Sequence, residues 1–236
     1  MSTVSGKDVA TNMSIWTRKV GYPIITVQEF EAENKILVRQ DRFLNSRDAS
    51  TEENETIYPV SLGLVTGTKA SEEHDILLDS REMHVQLKDM TFFKINSIHA
   101  GFFRTLYTPQ RLLKLGEAMH VGLLSVEDRI GVIADASALA SSGYQNTSAL
   151  LGMLANLRDE DNPFVWMQIN SSLRSIRIAF KFQEESIRSG LKRFTRLLVG
   201  PQATALGWDF NGDDDISMAE YKAEMFQAAA LADEPR

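Results

Sequence analysis

The 236-residue chain contains no cysteine, so disulfides, thiolate metal sites and cysteine nucleophiles are excluded. It also lacks an unbroken apolar run of the roughly 18 residues that a membrane helix needs. Positive charge is in deficit, because 25 basic and 32 acidic residues leave a formal net charge of −7. We therefore expect neither a membrane nor nucleic acid as a partner.

The first ten residues, MSTVSGKDVA, lack the basic-then-apolar pattern of a secretory signal. We therefore expect a cytoplasmic protein. A hydrophobic content of 43% is high enough to bury a core in one large domain or two ordinary ones.

Catalytic signatures are also missing. The four histidines are His74, His84, His99 and His120, and none of them begins an H-E-x-x-H sequence. No two of them lie three to five residues apart, which excludes a zinc site built from two histidines on one helix. Nucleophile elbows and glycine-rich phosphate loops are absent from the sequence as well. We predict no catalytic residue and no zinc ligand in this chain.

One acidic stretch, DFNGDDDISMAE at 209–220, partly matches a calcium-binding loop of the EF-hand type. The weak calcium candidates are the oxygen-bearing residues at loop positions 1, 3, 5, 7 and 12: Asp209, Asn211, Asp213, Asp215 and Glu220. The sixth position requires glycine for a sharp turn, and here it is Asp214. We therefore favour an acidic loop that caps the following helix over a calcium site.

Strand signals dominate the first part of the chain. Residues 24–30 and 36–44 are rich in β-branched and aromatic side chains and are separated by a turn, which predicts a hairpin. Shorter strands are predicted at 57–65, 76–79, 82–87, 91–96 and 101–107, with polar loops at 46–56 and 66–75. Many short strands separated by turns are typical of an antiparallel β-sandwich.

Helix signals dominate from Pro109 onward. The clearest helix is 125–143, where Ser125 and Asp128 form a capping-box pair and Gly143 marks the end. Further helices are predicted at 146–157, 163–180, 183–198 and 214–230. The predicted fold class is α+β in two parts, with an antiparallel β-sandwich followed by an all-α, solenoid-like helical domain.

An amphipathic helix opens the chain. Ser5 can cap it, and Val9, Met13, Trp16 and Val20 then recur at helical spacing. This apolar stripe begins a few residues into the sequence, and we expect it either to pack back on the sandwich or to lack its natural partner.

Three sequence blocks resemble a known family. SGKDVATNMSIWTRKVGYPIITV, followed by RQDRFL, is similar to the junction between catalytic domain and β-sandwich in zinc-dependent aminopeptidases of the gluzincin class, relatives of aminopeptidase N and the puromycin-sensitive aminopeptidase. KINSIHAGFFRTLYT carries the motif residues Asn96, Gly101, Phe103, Arg104 and Tyr107. LSVEDRIGVIADASALASSG carries a second set: Asp128, Arg129, Asp135, Leu139 and Gly143.

The resemblance implies three segments. Residues 1–22 correspond to the terminal helix of a missing catalytic domain, 23–108 to the β-sandwich, and 109–236 to part of a HEAT-like helical domain. In the family, the zinc ligands and the glutamate base lie in the preceding domain. The resemblance thus implies no cofactor in this chain, zinc in the parent enzyme, and the missing catalytic domain as a partner.

The implied function is a non-catalytic fragment of an aminopeptidase, which supplies a spacer and part of a chamber wall. The alternative is a stand-alone module that binds peptides or another protein. Such a module should carry polar residues in place of exposed Trp16 and Val20.

The motif residues Arg104, Tyr107, Asp128, Arg129 and Asp135 are candidates for a domain junction. Arg104 lies between aromatic residues in a predicted strand, so we expect it to be partly buried and paired with Asp128 or Asp135. The alternative role for Arg104 is direct binding of a peptide carboxylate.

Overall fold

A computed structural model describes residues 8–47, 49–67, 72–207, 209 and 216–232. Within these ranges the protein is a mixed α+β structure with seven α-helices and three small sheets. The chain forms two compact units. The first unit comprises Met1–Arg111 together with Ser142–Gln145, and the second comprises Leu112–Ser141 and Asn146–Arg236.

The strands of the described residues all lie in the first unit. They are β1 (Pro23–Phe30), β2 (Lys35–Arg42), β3 (Val60–Ser61), β4 (Leu64–Thr66), β5 (Glu72–His74), β6 (Leu77–Leu78), β7 (Glu82–Gln86), β8 (Phe93–Lys94) and β9 (Arg104–Leu106). The largest sheet has the order β7-β2-β1-β9, and the smaller ones are β3-β6 and β5-β4-β8. The sandwich arrangement of these sheets remains a prediction.

The predicted hairpin is present as β1 and β2, paired antiparallel from Pro23 opposite Arg42 to Phe30 opposite Lys35. Ile36, Val38 and Gln40 alternate inward along β2. The buried Gln40 amide is fully used. Its Nε2 donates to the carbonyls of Tyr58 at 3.0 Å and Ser80 at 2.8 Å, and its Oε1 accepts from the Tyr58 N–H at 2.9 Å.

Two features of the sheets differ from the prediction. β9 pairs parallel with β1, with Ile24 opposite Arg104, whereas an antiparallel arrangement was expected. A parallel neighbour is possible because the long stretch between β2 and β9 lets the chain return in the same direction. The predicted loop at 66–75 also contains β5, which pairs antiparallel with β4. Its sequence, Glu-Glu-His, has low strand propensity, so pairing rather than composition defines this strand.

The first helix, α1 (Val9–Arg18), is capped by Asp8, whose carboxylate accepts the Thr11 N–H at 3.1 Å. Hydrogen bonds from Thr11 lower the pKa of Asp8. The predicted cap Ser5 lies outside the described residues. Trp16 packs back on the first unit, because its indole N–H donates to the Pro59 carbonyl at 3.2 Å and its ring centroid lies 4.7 Å from that of Tyr58.

The remaining helices are α2 (Pro109–His120), α3 (Val126–Ser141), α4 (Thr147–Leu154), α5 (Pro163–Ala179), α6 (Glu185–Leu206) and α7 (Ile216–Leu231). The predicted cap of α3 is confirmed, since Ser125 Oγ accepts the Asp128 N–H at 3.1 Å. The second unit buries Ile133, Leu150, Met153 and Trp166 completely. Each large apolar side chain buried in this way stabilises the fold by about 1.5–3 kcal/mol.

Candidate functional site

The first motif block folds into a braced corner around Asn96. Its side-chain oxygen accepts the Gly101 N–H at 2.7 Å, and its amide nitrogen donates to the Gly101 carbonyl at 3.2 Å. Asn96 itself has a left-handed backbone with φ of 65°, a conformation that asparagine tolerates better than most residues. The Asn96 side chain therefore closes the 96–101 loop by binding both backbone groups of Gly101.

Gly101 is required in this corner by close packing. A Cβ at this position would lie 2.4 Å from Cε1 of the buried Phe103 ring. Nearby, the Tyr107 hydroxyl accepts the Ile95 N–H at 2.9 Å, and the Tyr107 carbonyl accepts from Gln145 Nε2 at 2.9 Å. Four of the five motif residues of this block thus have direct structural roles in the first unit.

An exposed apolar patch lies beside the corner. We define it as Met13, Trp16 and Val20 of the N-terminal segment together with Phe102, whose ring centroid is 6.3 Å from that of Trp16. Val20 is 79% exposed and Phe102 69% exposed, whereas Trp16 is half-buried. Tyr22 and residues 99–104 line a shallow cavity of about 330 Å³ next to it. A grouping of exposed apolar side chains is typical of an interaction surface.

Backbone strain occurs in the same loop. Ile98 has a φ of 47° and its side chain is exposed. A β-branched residue in the left-handed region is a genuine outlier, and such strain costs on the order of 1–3 kcal/mol. The surrounding corner, braced by Asn96, holds this conformation in place.

The predicted partners of Arg104 fall in the other unit. Arg104 is half-buried in β9 of the first unit, whereas Asp128 and Asp135 are buried on α3 of the second. The pairing of Arg104 with either carboxylate stays a prediction, as does the alternative role in binding a peptide carboxylate.

Arg129 forms an ion pair within the second unit. Its Nη1 lies 2.9 Å and 2.8 Å from the two carboxylate oxygens of Glu160. Glu160 is buried, and it also accepts the backbone N–H groups of Asp161 at 3.2 Å and Asn162 at 2.9 Å. Its backbone carbonyl accepts the indole N–H of the buried Trp166 at 2.8 Å. The pair therefore joins the start of α3 to the segment that precedes α5.

A fully buried charged group of the first unit was missed by sequence reasoning. Arg111 is fully buried, and its Nη2 lies 2.6 Å from Glu29 Oε2 and 2.9 Å from the Met90 carbonyl. The guanidinium carbon also sits 3.9 Å from the centroid of the Phe93 ring. Thr108 completes the network, because its hydroxyl donates to Glu29 Oε1 at 3.0 Å and accepts the Arg111 N–H at 3.1 Å.

The only local signal for this network was Thr108 followed by Pro109, which is typical of a helix start. That signal locates the cap of α2 but gives no hint of the distant Glu29. From sequence alone, an arginine near a helix start is expected to be exposed to solvent. Only the folded structure shows that a carboxylate lies beside it.

The part of the chain that the structure describes does not fit a zinc site. In the described ranges no group of three histidine, aspartate or glutamate side chains could hold a metal ion. His74 Nε2 lies 3.2 Å from Thr66 Oγ1, and the exposed His120 lies 3.8 Å from a single carboxylate of Asp159.

The calcium candidate is only partly described. The Asp209 carbonyl accepts from Lys222 Nζ at 3.1 Å, and Glu220 is exposed on α7. Asn211, Asp213 and Asp215 lie outside the described residues. Calcium binding by this segment therefore stays a prediction.

Among the helices of the described part of the chain, none has the length and hydropathy required to cross a bilayer.

The chain belongs to the class of mixed α+β proteins, because its strands are followed by helices. Its motif residues brace this fold. Residues 92–236 match the ERAP1-like C-terminal domain, and the chain belongs to this family. It is also homologous over its whole length to M1 aminopeptidases, as the resemblance implied.

Three relatives illustrate the homology. Aminopeptidase 2 of Candida albicans is 40% identical over 235 residues, which is 100% of this chain and 25% of the relative. In Saccharomyces cerevisiae, the mitochondrial aminopeptidase 2 and the alanine/arginine aminopeptidase are each 39% identical over 98% of this chain. The chain spans about a quarter of the length of these relatives.

Proposed function

We propose that this chain is the non-catalytic C-terminal region of a zinc-dependent aminopeptidase, which releases N-terminal residues from peptides. The observation that carries the proposal is the full-length homology to aminopeptidases that are about four times longer. The proposed contribution of the chain is a spacer, formed by the strand-rich first unit, and part of a chamber wall, formed by the helical second unit.

The role of the motif residues supports this proposal. Asn96, Gly101, Phe103 and Tyr107 hold a corner together, and none of them belongs to a metal-ligating group in the described residues. Zinc would supply a polarised water in the parent enzyme. The residues that the structure describes do not fit that ion, so we assign the metal to the part of the parent outside the chain.

The proposed partner of the apolar patch is the catalytic domain of the parent. Met13 lies one helical turn before Trp16 on α1, Val20 follows the end of this helix at Arg18, and both leave apolar surface in water. Covering Val20 and Phe102 by a partner would remove this exposed surface. Peptides remain a further proposed partner of the assembled chamber.

An activity assay tests the proposal directly. The purified chain, incubated with zinc and an aminoacyl-p-nitroanilide, should release no p-nitroaniline beyond the blank. Adding the separately expressed N-terminal three quarters of aminopeptidase 2 should produce a complex in a pull-down. Met13→Glu with Val20→Glu should weaken that complex, whereas Lys19→Glu, a solvent-exposed neighbour, should not. Chelator-sensitive turnover by the chain alone would refute the non-catalytic role.

A further inference from the structure

The second unit contains a cleft of about 300 Å³ between α5, α6 and α7. Its apolar surface is supplied by side chains from all three helices: Leu173, Ile176, Leu191, Ala228 and Leu231. The volume is at the lower end of the range for ligand pockets. The cleft can therefore take a few apolar side chains, with the rest of a bound segment outside.

The rim of the cleft is strongly basic in a protein that is acidic overall. Five cations line it, Arg174, Arg177, Lys181, Arg188 and Lys192, against two acids, Glu185 and Glu224. The acids are already engaged: Arg174 lies 3.3 Å from Glu224, and Arg188 pairs with Glu185. The lining thus keeps a net charge of +3, which attracts a negatively charged partner.

One wall of the cleft is a helix segment that buries no side chain against the rest of the described second unit. The buried residues of α6 are Leu198, Val199, Gly200 and Ala203, so residues 185–197 form more than three turns without a buried residue. Helical segments of this length are marginal in water unless packing stabilises them. Phe182, in the turn before α6, is 93% exposed, and its ring centroid lies 5.5 Å from Nζ of Lys181, a residue that lines the cleft.

We propose that this cleft docks an amphipathic helix of another protein, one with an apolar stripe flanked by aspartate or glutamate. Three helix faces with an apolar floor are the setting in which a helix binds in a groove. The basic rim selects acidic flanks and places them near Arg177 and Lys181. An apolar floor is a poor match for nucleic acid, whose binding is dominated by phosphates. This inference does not depend on the aminopeptidase assignment.

The test uses the full chain and a synthetic probe. The probe is a fluorescein-labelled 18-residue helix with leucine at i, i+3, i+4 and i+7 spacing and glutamate on both flanks. A matched probe carries lysine at every glutamate position. Fluorescence anisotropy should show saturable binding of the acidic probe, weakening as salt is raised, and binding at least about tenfold weaker for the basic probe.

Two charge-reversal variants locate the site. Arg177→Glu combined with Lys181→Glu should weaken binding of the acidic probe at least about tenfold. Arg193→Glu combined with Arg158→Glu is the matched control, because it reverses the same number of charges at exposed residues of the second unit that do not line the cleft. It should change the affinity less than about twofold, and circular dichroism should show that both variants keep the helical content of the parent chain.

Three results would overturn the proposal. The first is no binding of the acidic probe at low salt. The second is equal binding of the acidic and basic probes, or equal weakening by the cleft and control variants. The third is concentration-dependent self-association in sedimentation that the Arg177/Lys181 variant abolishes, since the occupant would then be a second copy of this chain.

Discussion

The two units each enclose an arginine–glutamate pair, but they enclose opposite partners. In the first unit the side chain of Arg111 is fully buried, while that of Glu29 is 10% exposed. In the second unit the side chain of Glu160 is 1% exposed, while that of Arg129 is 15% exposed. The cation is the sequestered group in one unit and the anion in the other.

The groups that surround the two buried charges also differ in polarity. The sequestered Arg111 is satisfied by a backbone carbonyl and an aromatic face in addition to Glu29. The sequestered Glu160 is satisfied by two backbone N–H groups in addition to Arg129. A buried charge needs hydrogen bonds as well as a counter-ion, and each unit supplies groups of the appropriate polarity.

Removing the counter-ion of the more enclosed charge should have the largest effect. Glu29→Gln leaves the Arg111 guanidinium buried without a carboxylate, and we expect a loss of about 3–5 kcal/mol in the free energy of unfolding. Urea denaturation at neutral pH measures this loss, and hydrogen exchange should place it in β1 and the start of α2. A loss below about 1 kcal/mol would show that the carbonyl and ring suffice for Arg111.

Glu160→Gln should lower the free energy of unfolding by a smaller amount, about 1.5–3 kcal/mol, which is the range for hydrogen bonds to charged groups. The amide keeps an oxygen for the Asn162 N–H, and the partly exposed Arg129 can recruit water. The same denaturation experiment measures it, with hydrogen exchange now increased around α3 and α5. If this variant were less stable than Glu29→Gln, burial of the anion would be the dominant factor and the comparison would be reversed.

Tyr58→Phe tests the attachment of the N-terminal segment and should cost about 1 kcal/mol at pH 8. The Tyr58 hydroxyl donates to the Val20 carbonyl at 3.2 Å, and burial raises the pKa of Tyr58 above its usual value. A raised folded-state pKa means that the stabilisation is complete below the unfolded value and is lost as pH rises through the folded one.

The stability gap between parent and Tyr58→Phe should therefore shrink when urea denaturation is repeated above about pH 10. Both proteins share every other titrating group, so the difference isolates the phenol. A gap that stays constant from pH 8 into this alkaline range would contradict the assignment.

Glu82→Gln is the baseline and should change the stability by less than about 0.5 kcal/mol. It removes a surface pair in which Arg39 Nη1 lies 3.2 Å from Glu82 Oε2, with both side chains about half exposed. Exposed pairs of this kind contribute little because water screens them. A cost comparable with that of Glu160→Gln would remove burial as the explanation for the larger effects.

Local patterns were predictable from sequence. The β1–β2 hairpin follows from β-branched runs around a polar turn, and α3 follows from the Ser125 cap, which the structure confirms. The motif residues Asn96 and Gly101 were identified by resemblance, but their roles required coordinates, because a 2.4 Å approach to Phe103 is a property of packing.

Long-range pairing was not predictable. Glu29 and Arg111 are 82 residues apart, and nothing in either local sequence identifies the other. The sequence predicts a loop where β5 lies, because Glu-Glu-His has little intrinsic preference for a strand. Its antiparallel pairing with β4 makes this segment a strand. The partner of Trp16 was left open for the same reason, and the structure supplies it as Pro59 and Tyr58.

The membership of Ser142–Gln145 in the first unit has a practical consequence for dissection of the molecule. A product cut after Arg111 would lose the Tyr144 hydroxyl that accepts the Leu44 N–H at 3.3 Å and the Gln145 amide that binds the Tyr107 carbonyl. It would also lose the Tyr144 ring, 5.6 Å from that of Phe43. Four residues that interrupt the sequence of the second unit thus complete the first unit. No single cut of the chain leaves both units intact.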